Sequence, residues 1–269
     1  ELEYVDARGN SEGAPDTRAL QLAESDGKAP FDLEHGLLVR IKLIQTAQAC
    51  HLLVINMHHI VSDAWSISIL IRELFELYRA FRTGGPALLL PLPIQYTDYA
   101  VWRNKLLETS AFEEQIQYWR KRLCGNHAPT MLPSIRRTAK PTYVGNTIAF
   151  VLDDHLPGQL RSLCRELGIT VQAALLTAFK LLLFRFTNNW NITVGSPVSS
   201  RVRTELESLI GFFINTLVLR TEFAYGMTVR DALFAVSTTL LEAQANRDVP
   251  FDSLVEQLPA GVFRKDAAG

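Results

Sequence analysis

The run His51-Leu52-Leu53-Val54-Ile55-Asn56 is apolar and β-branched, and it leads straight into Met57-His58-His59-Ile60-Val61-Ser62-Asp63-Ala64-Trp65. Such a run reads as a buried strand. From Ser66 to Phe81 the pattern switches to a helical period, with Leu70, Leu74, Leu77, Tyr78 and Phe81 on one face. Arg72 and Glu76, four apart on the opposite face, form a modest stabilising pair. A buried strand that passes directly into an amphipathic helix commits the chain to an α/β scaffold. It also sets both histidines on the connecting turn, where such scaffolds present reactive side chains.

The remaining segments keep alternating. Residues 10–30 are polar and contain Gly, Pro and Ser, which predicts a loop or mobile hairpin. Leu37–Ile44 alternates as a half-buried strand does. Ile94–Glu108 and Ala111–Leu123 read as helices, and Thr147–Leu152 reads as a strand. His155–Leu167 reads as a helix stopped by Gly168, with Thr170 capping the next helix over Val171–Phe186. Ile192–Val198, a helix near 204–210 and Thr216–Phe223 predict strand, helix and strand, before a long helix over Thr228–Ala245. The Pro- and Gly-bearing stretch 129–146 is the best linker candidate, so the expectation is two α/β lobes, 1–128 and 147–269.

Apolar residues make up 48% of the 269 residues and charged residues 20%, enough to bury a core. A net charge of −1 gives no general attraction to nucleic acid or to an anionic membrane. No segment reaches the roughly 18 apolar residues of a membrane span. Cys50, Cys124 and Cys164 are scattered, which argues against a disulfide framework or zinc site and fits a reducing, cytoplasmic compartment. The opening Glu1-Leu2-Glu3 lacks an initiator Met, and the chain reads as a piece of something longer.

Histidine is the one side chain whose ordinary pKa makes it a proton acceptor near neutrality. Adjacent residues on extended backbone point to opposite sides. One of His58 and His59 therefore faces a given cavity, while its neighbour is held by hydrogen bonds and shapes the turn. The residues alone leave a second possibility open, that both are satisfied polar groups at a strand end. Asp63 has three possible uses: capping the helix, pairing with an arginine, or orienting an imidazole. With His51, these residues lack the i, i+4 histidine spacing of helix-borne zinc sites, so a metal is disfavoured. With no adjacent Ser or Cys nucleophile, the turn suits direct transfer between two bound substrates.

The segment His58-His59-Ile60-Val61-Ser62-Asp63-Ala64 resembles the H-H-x-x-x-D-G signature of condensation domains of nonribosomal peptide synthetases. Three more segments resemble that family in the right order. Gln95-Tyr96-Thr97-Asp98-Tyr99-Ala100-Val101-Trp102 is similar to Y-x-D-(F/Y)-A-V-W, and Ile210-Gly211-Phe212-Phe213-Ile214-Asn215-Thr216 to G-x-F-V-N-T. Asn246-Arg247-Asp248-Val249-Pro250-Phe251-Asp252 is similar to H-Q-D-x-P-F-E, departing at its first two positions.

The resemblance implies a two-lobed fold like that of chloramphenicol acetyltransferase, incomplete here at both ends, with an active-site tunnel between lobes. It implies amide formation between acyl and aminoacyl thioesters carried on phosphopantetheine arms. The implied partners are donor and acceptor peptidyl carrier domains and an adenylation domain of the same synthetase. No ATP, metal or tightly held cofactor is needed in the domain. His59 matches the catalytic second histidine, which would take the amine's proton, hold the amine, or stabilise the oxyanion. His58 and Asp63 match structural positions, with an arginine expected on Asp63. Ala64, Trp65, Ser196, Arg201 and Asn215 are candidate substrate contacts, Arg201 doubling as a substitute partner for Asp63. Tyr96, Tyr99 and Trp102 are expected to pack, and Asp248–Phe251 to start a helix. The cluster Arg136-Arg137-Lys140 reads as a solvated linker that an acidic carrier could meet. Ala64 stands where the signature has glycine. That costs about 1 kcal/mol or more if φ is positive there and is nearly neutral otherwise. The alternatives that follow are a non-catalytic module binding a carrier or partner protein, and an ester-forming relative.

Overall fold

The computed structural model describes residues 2–8, 15–125, 132 and 145–258. Most of the expected linker, with Arg136, Arg137 and Lys140, lies outside these residues. The chain divides into two compact units that are discontinuous in sequence: Glu1–Val101 with Arg201–Phe213, and Trp102–Ser200 with Ile214–Gly269.

In the first unit, β1 (Leu2–Asp6) runs parallel to β2 (Val39–Ala47), which pairs antiparallel with β3 (Cys50–Met57). A small core forms where Ala19 of α1 (Pro15–Lys28) meets Ala7 and Ile44, flanked by Val5, Leu22, Leu52 and Val54. Helix α1 falls where the polar composition predicts a loop. Its apolar face is slight, and tertiary contacts settle it. Arg40 of β2 donates to the carbonyls of Asp26, Ala29 and Pro30, so the last turn of α1 is capped from another strand. The Asp26 carboxylate takes Lys42 at 3.1 Å and Asn56 at 3.2 Å.

Helix α2 (Ala64–Thr83) follows β3 as the sequence predicts and ends on Gly84 at φ 67°. Its buried side carries Ser66, Ile69 and Ala80, while the expected apolar stripe is exposed at Leu74, Leu77, Tyr78 and Phe81. The side that turns in is the one on which Ser66 bonds Asp63, Gly211 and Arg201. Glu76 pairs with Arg79, at 2.6 Å, rather than with Arg72.

The second unit holds the antiparallel pair β4 (Asn191–Ser199) and β5 (Ile214–Glu222). Around it lie α4 (Ser110–Leu123), α5 (Leu156–Leu167), α6 (Val171–Thr187), α7 (Val229–Ala245) and α8 (Phe251–Gln257). Helix α3 (Tyr96–Leu106) precedes α4. Phe112, Ile116, Trp119 and Leu123 recur at helical spacing on α4 and bury against Leu217, Leu219, Leu240 and Leu254. That packing is why residues 102–125, read from the sequence as part of the first lobe, cluster with the second unit. Gly168 adopts the left-handed C-cap at φ 65°, and Thr170 and Thr228 cap α6 and α7, as their positions predict.

Two expected elements do not form as the sequence predicts. Residues 147–152 form no strand: Ile148, Phe150 and Val151 are each at least 80% exposed, and among the described residues no neighbouring strand pairs with them. Alternation without a partner leaves the backbone unpaired. The helix near 204–210 shrinks to one 3₁₀ turn over Thr204–Leu206. Arg201 Nη1 takes the carbonyls of Leu206 and Leu209, at 2.5 and 2.9 Å, which competes with helical pairing there.

Candidate active site

The two histidines part company where β3 ends. His58 keeps its backbone on the sheet side, its N–H donating to the Leu38 carbonyl at 3.0 Å. Its Nδ1 accepts the Ile60 amide at 3.1 Å, and its ring meets the edge of Phe31 at 5.8 Å. It thereby caps the 3₁₀ turn His59–Val61. His59 is exposed, and its Nδ1 lies 2.6 Å from the Ser62 carbonyl. A carbonyl only accepts, so Nδ1 carries a proton, and in the neutral form of the imidazole the lone pair is then on Nε2. Phe212 stands edge-on to that imidazole, with centroids 5.2 Å apart and planes at 89°. The two rings thus have different partners: His58 bonds within the turn and meets Phe31, and His59 meets the Ser62 carbonyl and Phe212.

Asp63 serves two of its three possible uses. It is the N-cap of α2, its Oδ1 accepting the Ser66 amide and the Ser66 hydroxyl at 2.7 Å each. Arg201 Nη2 reaches Oδ1 at 3.1 Å and Oδ2 at 3.3 Å, and the Phe213 amide reaches Oδ2 at 3.2 Å. These bonds fill the carboxylate, and neither imidazole is among its partners in the described residues. Burial opposes ionisation of Asp63, but the Ser66 amide and hydroxyl and the Arg201 guanidinium outweigh it and hold the carboxyl below its usual value. The arginine on Asp63 is Arg201, 138 positions downstream, the residue the sequence offered as a substitute partner. Its guanidinium also stacks over the Phe213 ring at 3.9 Å.

Ala64 opens α2, and Asn188 is the one non-glycine residue with positive φ among those described. The glycine-to-alanine departure therefore carries no left-handed strain, and alanine is the better helix former. Trp65 is a clamp: its indole Nε1 donates to the Glu207 carbonyl at 2.8 Å, tying the Arg201–Phe213 segment to α2. Tyr96 and Tyr99 pack as expected, both rings against Phe213, and the Tyr96 hydroxyl donates to the Phe212 carbonyl at 2.9 Å. Gly211 is required by close approach, since a Cβ there would overlap the Tyr96 ring.

Ser196 and Asn215 belong to the second unit. Ser196 is half-buried in β4 opposite Leu217. Asn215 is a correction to its reading as a substrate contact. Its Nδ2 donates to the Arg247 and Val249 carbonyls at 2.8 and 2.7 Å, and its Oδ1 accepts the Thr216 and Phe251 amides at 2.9 and 3.0 Å. A saturated amide has nothing left for a ligand. It instead sets the start of α8, with Asp248 held by Arg103 and by both ends of the Gln115 amide.

Sequence reasoning did not single out Ser66, and it took Phe212, with Gly211 and Phe213, only as packing a turn. The available signal for Ser66 was its place three residues after an N-cap aspartate, where side chain and cap meet. The contact of Phe212 with His59 carried no signal, because the two are 153 positions apart.

The condensation domain profile matches residues 1–262. The chain is 42% identical over 258 residues to one of the linear gramicidin synthase polypeptides of Brevibacillus parabrevis, covering 96% of this chain and 5% of that protein. It is 39% identical over 257 residues to phosphinothricin tripeptide synthetase PhsC of Streptomyces viridochromogenes, covering 95% and 24%. The X-domain from teicoplanin biosynthesis superposes with a TM-score of 0.85 at 28% identity, over 97% of this chain and 58% of that one. The first condensation domain of the CDA synthetase shares the fold, with a TM-score of 0.75 at 21% identity over 97% and 57%. The chain thus spans a small part of these synthetases and under two thirds of the solved domains. With the profile matched along almost its whole length and the signature turn built as described, this chain belongs to the condensation-domain family.

Proposed function

We propose that this chain is part of an acyltransferase that forms an amide between a carrier-bound acyl thioester and a carrier-bound aminoacyl thioester. The observation that carries this reading is the exposed His59, pinned at Nδ1 by the Ser62 carbonyl so that in the neutral imidazole the lone pair is on Nε2. A base so oriented takes the proton of the attacking amine as the C–N bond forms and the carrier thiolate leaves. Such a base contributes about 10²–10⁴-fold, and holding two tethered substrates contributes further. The thioester is already activated, so the reaction calls for no metal or resident cofactor; the phosphopantetheine arms belong to the carriers. Donor and acceptor carrier domains and an adenylation domain are the proposed partners, in a cytoplasmic synthetase. Replacing His59→Ala in the full-length protein, with both carriers loaded, is expected to lower amide formation by about 10²–10⁴-fold. Unchanged product would refute the role.

A second reading is a module of the same fold that binds a partner protein without catalysis. Supporting it is the likeness to the teicoplanin X-domain, which is also solved in complex with OxyB, with a TM-score of 0.87 at 26% identity. Absent amide formation by the wild type, together with retained binding of a neighbouring enzyme, would favour it. Ala64 lends it no support, because that residue is unstrained.

A further inference from the structure

Ser66 is fully buried and its hydroxyl is saturated. Its one proton faces Asp63 Oδ1 at 2.7 Å and the Gly211 carbonyl at 2.8 Å. Its lone pairs take Arg201 Nη2 at 2.9 Å and the Gly211 amide at 3.0 Å. Both backbone polar groups of Gly211 thus end on one hydroxyl. The next two residues are held as well: the Phe212 carbonyl accepts the Tyr96 hydroxyl, and the Phe213 amide donates to Asp63 Oδ2. Phe212 is the residue between these anchors, and its ring lies edge-on to His59.

The geometry matters because one hydrogen bond does not fix an imidazole. With Nδ1 on the Ser62 carbonyl, the ring still rocks about that axis and Nε2 sweeps an arc. A second contact on the ring flank removes this freedom, and Phe212 supplies it. We propose that Ser66 is a positioning residue for His59, acting through Phe212: its hydroxyl fixes Gly211, and that hold sets the Phe212 ring against the imidazole. This rests on the reading that His59 carries the chemistry.

The test uses the full-length protein with loaded carriers, following amide product by mass spectrometry in Ser66→Ala, Phe212→Leu, the double variant and His59→Ala. Ser66→Ala and Phe212→Leu are each expected to lower kcat about tenfold, with KM for the loaded carriers within about twofold. The double variant is expected to be no slower than the worse single one, because both act through one contact. Losses that multiply would overturn the proposal. So would full kcat in Phe212→Leu, which keeps every backbone bond described here and decides the matter if Ser66→Ala fails to fold. His59→Ala separates the two levels. If it is inactive while Phe212→Leu is fast, positioning alone falls; if it is fully active, the role of His59 falls and takes this proposal with it.

Discussion

Asp63 in the first unit is 4% exposed and Lys180 in the second is 0% exposed, yet their surroundings differ in kind. Asp63 has a full counter-charge, Arg201, plus two amides and a hydroxyl. Among the described residues Lys180 Nζ meets only neutral acceptors, the Leu219 carbonyl at 2.7 Å and the Thr221 hydroxyl at 2.8 Å. Burial, helped by the nearby Arg122 charge, pulls its pKa down to about 7. A neutral amine has two N–H donors, and these two bonds use both. The first unit keeps an ionised group inside because the turn beside His59 must be held from several directions. The second keeps an amine whose charge burial opposes, held between α6 and β5 by uncharged acceptors. An interior accepts a charge when it is matched, and otherwise neutralises it.

Removing the match is the hardest blow to this contrast. Arg201→Met strands the buried Asp63 carboxylate, and urea unfolding is expected to show a loss of about 3–5 kcal/mol. Because the carboxyl value is depressed in the folded chain, the pair's contribution is present above the ordinary value of 3.8 and fades as pH falls through the folded one. The gap between wild type and variant should therefore narrow in acid. A constant gap would mean that Arg201 acts by packing rather than by charge.

A smaller effect is expected where the second unit relies on a neutral hub. Asn215→Ala leaves the Arg247 and Val249 carbonyls and the Phe251 amide without their partner, for about 2–3 kcal/mol by the same unfolding measurement. Its loss should not vary between about pH 5 and pH 8, since no charge is involved.

Lys180 gives a pH signature in a different window from Asp63. Between about 7 and the ordinary value of 10.5 the unfolded chain binds the proton that the folded chain has released. Stability should therefore rise with pH across that window, by up to about 1.4 kcal/mol per pH unit. Lys180→Met should lack that rise; a variant that retains it would show that Lys180 is charged in the folded chain. Least consequential is Ala64→Gly, at most about 1 kcal/mol in unfolding and within about twofold in amide formation. A larger change would make residue 64, rather than the Asp63–Ser66–Arg201 hub, the element that holds the turn.

What could be read along the chain was what short-range chemistry writes there. The β3–turn–α2 unit, the Thr170 and Thr228 caps and the Gly168 stop depend on residues within a few positions of one another. The different partners of His58 and His59 come from the turn itself, where His58 caps the 3₁₀ turn that His59 begins. Helix α1 was illegible because its last turn is satisfied by Arg40 from β2, and residues 147–152 misled because alternation signals a strand only when another strand is there to pair. Arg201 was a candidate without a geometry, and Asn215 looked like a ligand contact until its amide was seen to be full.

By itself, then, the sequence determined the order of elements, the placing of a paired-histidine turn at a strand end, and the motif set that marks the family. The tertiary structure alone decided that Arg201 meets Asp63, that Ser66 holds Gly211, that Phe212 flanks His59, and that α2 turns its polar hub inward. Those pairings join residues more than 130 positions apart. Local propensity carries no information about such distances; packing and the demand that every buried polar group find a partner do.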